Sequence, residues 1–149
     1  MTVTLERVSN RFPYGFEDLK ADARADGHRH LVRLAAELEQ SPTMFHAIFA
    51  GYVDGRFAGI GAMTDEPALT LGSAWRLRRL YVHRNFRRLG VARTIVMALL
   101  REATGNVSTV TVHAGNDGAS RFWEAIGFRP VAGKAWSHEG PISGATPCA

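Results

Sequence analysis

The sequence predicts an α/β (α+β) fold: a mixed, mostly antiparallel sheet of six to seven strands flanked by helices. Three observations carry this. Strand-like and helix-like segments follow the order β-α-α-β-β-β-α-β-α-β, with a further short strand near the C-terminus, and a meander followed by two crossover helices implies parallel as well as antiparallel pairs, with helices on both faces. The dipeptide Asp54-Gly55 joins two strand-like runs, the signature of a tight hairpin. The 149 residues, 46% of them hydrophobic, can bury one proper core and have no room for a second domain, so residues 1–149 are read as a single domain.

The elements follow in order. Thr2 to Val8 alternates Val3 and Leu5 against Thr2 and Thr4, a first strand. Phe12 to Phe16 is an aromatic-rich turn. From Glu17 to Gln40 the pattern is helical, with Leu31, Leu34, Ala35 and Leu38 on one face, and Gly27 splits it in two. Ser41-Pro42 stops the second helix. Met44 to Tyr52 and Arg56 to Met63 form the hairpin, Asp65-Glu66-Pro67 opens a loop, and Ala74 to Val82 is a fourth strand carrying its arginines outward. Gly90 to Ala103 is a helix with Val91, Ile95, Ala98 and Leu99 on one face, closed by Gly105-Asn106. Val107 to His113 is rich in β-branched residues and alternates, a fifth strand. Asn116 or Asp117 caps a helix from Gly118 to Ile126. Gly127-Phe128 ends that helix and starts a short strand, and Lys134 to Glu139 supplies one more at the sheet edge.

Charge and composition narrow the functional classes. The formal net charge is +4, and eight arginines fall between Arg76 and Arg101 with no Asp or Glu among them. Such a field attracts polyphosphates, acidic surfaces or nucleic acid. Only Tyr81 and Phe86 interleave after Trp75, too few aromatics for a base-stacking groove, so no nucleic-acid partner is expected. No apolar run approaches the roughly 18 to 20 residues of a membrane span, and Met1 to Glu6 lacks the long apolar segment of a signal peptide. A cytoplasmic protein without a membrane partner is expected. The single cysteine, Cys148, excludes an internal disulfide and sits too near the C-terminus for a positioned catalytic thiolate. His28-Arg29-His30 would point to opposite sides of a helix and lacks a third ligand, so no metal is expected.

The most informative stretch is Leu80-Tyr81-Val82-His83-Arg84-Asn85-Phe86-Arg87-Arg88-Leu89-Gly90-Val91-Ala92, a strand running through an Arg-rich turn into a helix. A helix N-terminus offers about four N–H groups without intrahelical partners and roughly half a positive charge. A phosphate fits both. Gly90 lets an incoming group reach the main chain, and Arg87 and Arg88 add charge-assisted bonds.

These residues resemble the GNAT superfamily of N-acetyltransferases. Its pyrophosphate loop, Gln/Arg-x-x-Gly-x-Gly/Ala, matches Arg87-Arg88-Leu89-Gly90-Val91-Ala92 at every fixed position. A second block, Asn116 to Phe128, is similar to the family's Asn-x-x-Ala-x-x-Phe-Tyr-x-x-x-Gly-Phe. Two blocks in the right order are far more specific than one loop. The resemblance implies acetyl-CoA as acyl donor, lying where the fourth and fifth strands splay apart. Its pantetheine arm would pair with backbone at Leu80, Tyr81 and Val82, and its pyrophosphate would sit on the amides of Arg88, Leu89, Gly90, Val91 and Ala92. Arg87, Arg88 and Arg93 would meet the phosphates, Asn116 would bond the pantetheine, and Phe122 and Trp123 would line its path. The acceptor, a small-molecule amine, would enter by the Phe12 to Phe16 loop, with Phe16, Arg76 and Arg78 as contacts. Dimers are common in the family, which makes a homodimer an option.

Two departures bear on mechanism. Trp123 stands where many relatives carry a Tyr acting as general acid, which indole cannot do. Arg76, four residues before Leu80, stands where relatives often place a Glu, and an arginine is no base at neutral pH. Three roles stay open for Arg76: binding a carboxylate or phosphate of the substrate, pairing with Asp65 or Glu66, or simple solvation. Deprotonating a lysine-like amine costs roughly 4.6 kcal/mol at pH 7, so the base is the more pressing absence. His113, His138 and Glu139 are the candidates for it, and water relayed through backbone carbonyls, or a substrate amine already of low pKa, is the alternative. An acyl-CoA-binding sensor without turnover is the rival to an enzyme.

Overall fold

The computed structural model describes residues 1–68 and 73–141, and Cys148 lies outside them. Its strands are β1 (Val3–Arg7), β2 (Phe45–Val53), β3 (Arg56–Asp65), β4 (Ala74–Val82), β5 (Thr109–Val112), β6 (Arg129–Pro130) and β7 (His138–Glu139). The helices are α1 (Phe16–Ala25), α2 (His30–Gln40), α3 (Val91–Ala103) and α4 (Asp117–Ile126). One seven-stranded sheet runs in the order β1-β2-β3-β4-β5-β7-β6. The β4–β5 pair is parallel and every other pair is antiparallel. Asp54 (φ 48°) and Gly55 (φ 81°) both adopt the left-handed conformation that a two-residue hairpin requires, joining β2 to β3. Among the described residues no helix is long and apolar enough to cross a membrane.

The two faces of the sheet carry separate cores. On one, α3 and α4 bury Val91, Ile95, Leu99 and Trp123 against Met63, Leu77, Val110 and Val112. On the other, Leu19 of α1 and Leu31, Leu34 and Leu38 of α2 pack on Ile48, Ala50, Ile60, Ala62 and Tyr81. Gly61 sets the distance of α3: a Cβ there would come within 2.9 Å of Ile95 Cγ2.

The final strands differ from expectation. The Lys134 to Glu139 segment contributes only His138–Glu139, and it inserts between β5 and β6 instead of lying at the edge. Its backbone is satisfied from both sides, with Ser137 N–H donating to Val112 C=O (3.1 Å) and Val131 N–H to Ser137 C=O (3.0 Å). The edge falls to β6, whose Pro130 has no N–H to leave unpaired.

A bulge in β4 decides which arginines reach which face. Ile60 pairs with Tyr81 and Ala62 with Arg78, so Gly61 faces both Arg79 and Leu80. Arg79 has φ 59° and breaks the alternation. Arg79 therefore does not point outward. It turns under α2, 8% exposed, where its Nε and Nη2 donate to Glu37 Oε1 and Oε2 at 3.0 and 2.7 Å.

Candidate active site

β4 and β5 pair only from Ala74–Thr109 to Arg76–Thr111. Beyond that β5 ends and the chain leaves for α4, so the rest of β4 forms one wall of a cleft of about 800 Å³. Leu77 to Val82, Arg87, Arg88, Gly90 to Arg93, Val112, His113, Asn116, Ala119, Phe122 and Trp123 line it, together with Arg76, Asp26, His28 and His30. His83 N–H donates to Ala58 C=O (2.8 Å), and Gly59 faces Val82. By the alternation of an antiparallel ladder, Val82 N–H then points away from β3, towards the open side.

At one end stands the α3 N-terminus. Gly90 is its N-cap, in a left-handed conformation (φ 85°) and with no side-chain capping bond to the first amides. A Cβ built on it meets nothing within 4 Å, so the backbone is open to a ligand. Arg88 and Arg93 are exposed beside it, and neither has a carboxylate within 4.0 Å among the described residues. These features fit a diphosphate. Leu89 turns its side chain to solvent, 36% exposed, and enters only as backbone.

Arg87 is engaged otherwise. Its Nη2 donates to Asp26 Oδ2 (2.8 Å) and Tyr81 OH (3.0 Å), and its Nε to Val82 C=O (3.1 Å). It fastens the loop to β4 and to the end of α1. Asp22 completes the fastening by accepting from Tyr81 OH (2.6 Å), Arg84 N–H (3.1 Å) and Arg84 Nε (2.7 Å). Burial acts to raise the Asp22 pKa, but the bonds from Tyr81 and Arg84 outweigh it and hold it at about 2. Asp22 thus stabilises the fold fully above about pH 4, and loses its contribution as the pH falls towards 2. Asp22→Asn is expected to cost about 1 to 2 kcal/mol at pH 7, discounted for nearby solvent. Thermal melts at pH 7 and at pH 2 check this: the two proteins should differ at the first and converge at the second.

The arginine field is therefore half neutralised. Arg78 and Arg79 meet Glu37 at 3.9 and 2.7 Å, Arg84 meets Asp22 at 2.7 Å and Arg87 meets Asp26 at 2.8 Å. All four carboxylate contacts come from α1, α2 or the residue that ends α1, far away in sequence.

At the other end of the cleft lies His113. Its Nε2 is 2.8 Å from Glu66 Oε1, and Glu66 has a fully buried side chain. Thr111 Oγ1 donates to the same oxygen at 2.6 Å and Ala68 N–H to Oε2 at 3.0 Å. Burial alone would raise the Glu66 pKa, yet these donors together hold it below the usual value. With Glu66 ionised, the tautomer that satisfies this contact carries its proton on Nε2 and has Nδ1 of His113 as the free acceptor. His30 also faces this end, and burial, His28 and the nearby arginines depress its pKa. His28 lies before α2, not within it, and its ring stacks on that of His30 with centroids 5.4 Å apart.

Other expected residues fall elsewhere. Phe16 is 5% exposed and stacks on Phe12 (centroids 3.9 Å) within the α1–α2 core, so it does not line the cleft. His138 is 3% exposed, with Nε2 2.9 Å from Glu124 Oε2 and Nδ1 2.8 Å from Ser137 Oγ, and it ties β7 to α4 instead of facing the cleft. Glu139 accepts from Trp136 Nε1 (2.9 Å) and Arg129 (3.1 Å). Asn116 lines the cleft while its Oδ1 caps α4 by accepting from Ala119 N–H (2.8 Å). Trp123 serves both cleft and core, its ring 4.9 Å from that of Phe128. Arg76 has no ion pair with Asp65 or Glu66: those carboxylates are taken by His46 and His113.

A splayed parallel pair, a β4 bulge and an open helix N-terminus together define an acyl-CoA acyltransferase fold. The model of the acetyltransferase (GNAT) family matches residues 9–128, and the chain belongs to that family. A search of curated proteins finds no match. Among solved structures, a candidate acetyltransferase from Exiguobacterium sp. 255-15 superposes with TM-score 0.80 at 20% identity, covering 93% of both chains. A mutant AtaT toxin bound to the C-terminus of the antitoxin AtaR and acetyl-CoA gives TM-score 0.73 at 17% identity, covering 97% of this chain and 96% of that one. Glucosamine-6-phosphate N-acetyltransferase from Arabidopsis thaliana gives 0.64 at 14%, covering 89% and 95%. At such identities the likeness is one of fold.

Proposed function

We propose that the chain is an acetyl-CoA-dependent N-acetyltransferase that acts on a small amine by direct attack. The observation that carries this reading is one continuous cleft with an open α3 N-terminus at one end and the His113–Glu66 pair at the other. The donor supplies an acetyl thioester. The α3 amides with Arg88 and Arg93 would hold its phosphates, and Leu80 to Val82 would bind its arm through backbone. Val82 N–H is the donor for the oxygen on which negative charge grows during attack.

His113 is the base in this reading. Its Nδ1 takes the amine proton, and Glu66 fixes the tautomer and stabilises the resulting imidazolium. Trp123 cannot return a proton to the departing sulfur, but protonating that thiolate is worth only about 2 kcal/mol at pH 7, so it can leave as the anion and take its proton from solvent.

An acceptor screen monitored by CoA release, run beside calorimetry with acetyl-CoA, tests the proposal. Turnover of at least one amine is expected. Tight acetyl-CoA binding with no turnover across a broad panel would support a sensor instead.

A further inference from the structure

We infer that Arg76 and Arg78 form an anion-recognising subsite and that the acceptor is a small zwitterion carrying a carboxylate or phosphate beside its amine. This rests on the transferase reading for the amine, although the subsite can be tested without it. Both side chains line the cleft, on the sheet face that also carries Thr111 and His113. The Nε atoms of both are shielded from solvent and have no hydrogen-bond partner among the described residues. Burial is also the foremost influence lowering their pKa values.

The two carboxylates nearby compensate them only in part, and among the described residues neither accepts a hydrogen bond from Arg76 or Arg78 Nε. Glu37 spends both oxygens on Arg79 and stands 3.9 Å from Arg78. Glu66 is engaged by Thr111, His113 and Ala68 N–H. Partly desolvated guanidinium groups whose Nε–H has no acceptor are costly, and an oxyanion in the cleft is the group that offsets them. Arginine forks suit planar carboxylate and tetrahedral phosphate alike.

Geometry limits the acceptor's size. Arg76 is level with Thr111 in the β4–β5 register, and His113 lies two residues further, about 7 Å along the strand. Anion and amine must therefore be only a few bonds apart.

The test uses matched pairs: the common L-amino acids against their amides, and O-phosphoethanolamine against ethanolamine. We expect kcat/KM to favour an anionic member by at least about tenfold, and Arg76→Gln or Arg78→Gln to erase most of that ratio through KM, with acetyl-CoA affinity unchanged. The carboxylate and phosphate arms say which anion is recognised. Equal use of the neutral members, or a ratio that survives both substitutions, overturns the subsite.

A second arm is independent of turnover. Inorganic phosphate and acetate are titrated into wild-type and variant protein saturated with CoA. Binding lost in Arg76→Gln and Arg78→Gln but kept in Arg101→Gln, an exposed arginine outside the cleft, supports the subsite, and binding kept in all three overturns it. Failure of CoA itself to bind counts against the transferase reading alone, since the comparison of variants still decides the subsite.

Discussion

Gly90→Glu is expected to weaken acetyl-CoA binding by at least about 100-fold, close to 3 kcal/mol, while the protein stays folded. Three effects act together. The carboxylate would sit on the α3 N-terminus and compete for the amides that a phosphate needs, since the dipole there favours any negative charge. The side chain would occupy the space now open above Gly90, where a built Cβ meets nothing within 4 Å. A left-handed φ of 85° adds strain of about 1 to 2 kcal/mol for a residue with a Cβ. Gly90→Ala isolates the strain and should cost less than about tenfold in affinity. Calorimetry with acetyl-CoA, paired with thermal melts, separates these contributions. Micromolar affinity retained in Gly90→Glu would remove the loop from the binding site.

His113→Ala is expected to lower kcat by about 100-fold on the best amine of the screen, with the KM for acetyl-CoA unchanged. The imidazole lines the cleft and stands 2.8 Å from a buried carboxylate, so its position is set by the fold. Glu66→Gln should fall between wild type and His113→Ala. It keeps an acceptor for Nε2–H but removes the carboxylate charge beside the imidazole. Unchanged rates and profiles in both variants would retire His113 and leave water relayed through backbone carbonyls as the base.

The sequence exposed those parts of the site that are built from contiguous residues. Arg88 to Arg93 form a loop and a helix N-terminus, and the role proposed for them rests on local backbone geometry. The hairpin at Asp54-Gly55 and the cap at Asn116 were legible for the same reason. Two histidines show where that legibility ends. His113 and His138 are alike as strand histidines, yet one faces the cleft with Glu66 and the other is buried against Glu124. Spacing cannot distinguish them because their partners lie 47 and 14 residues away. The arginine run misleads in the same manner. It holds no acid of its own, but Asp22, Asp26 and Glu37 neutralise half of it after folding.

Sequence by itself thus determined the fold class, the family resemblance and the anion cradle, because strand alternation, helix periodicity and capping are properties of neighbouring residues. Tertiary structure alone decided the surroundings of Arg76, Arg78 and His113. The β4 bulge sends Arg79 to Glu37 and leaves Arg76 and Arg78 on the cleft, and the loop after β3 brings Glu66 under His113. Which guanidinium gains a hydrogen-bonded partner depends on contacts between distant segments, and those exist only once the sheet has closed its two cores.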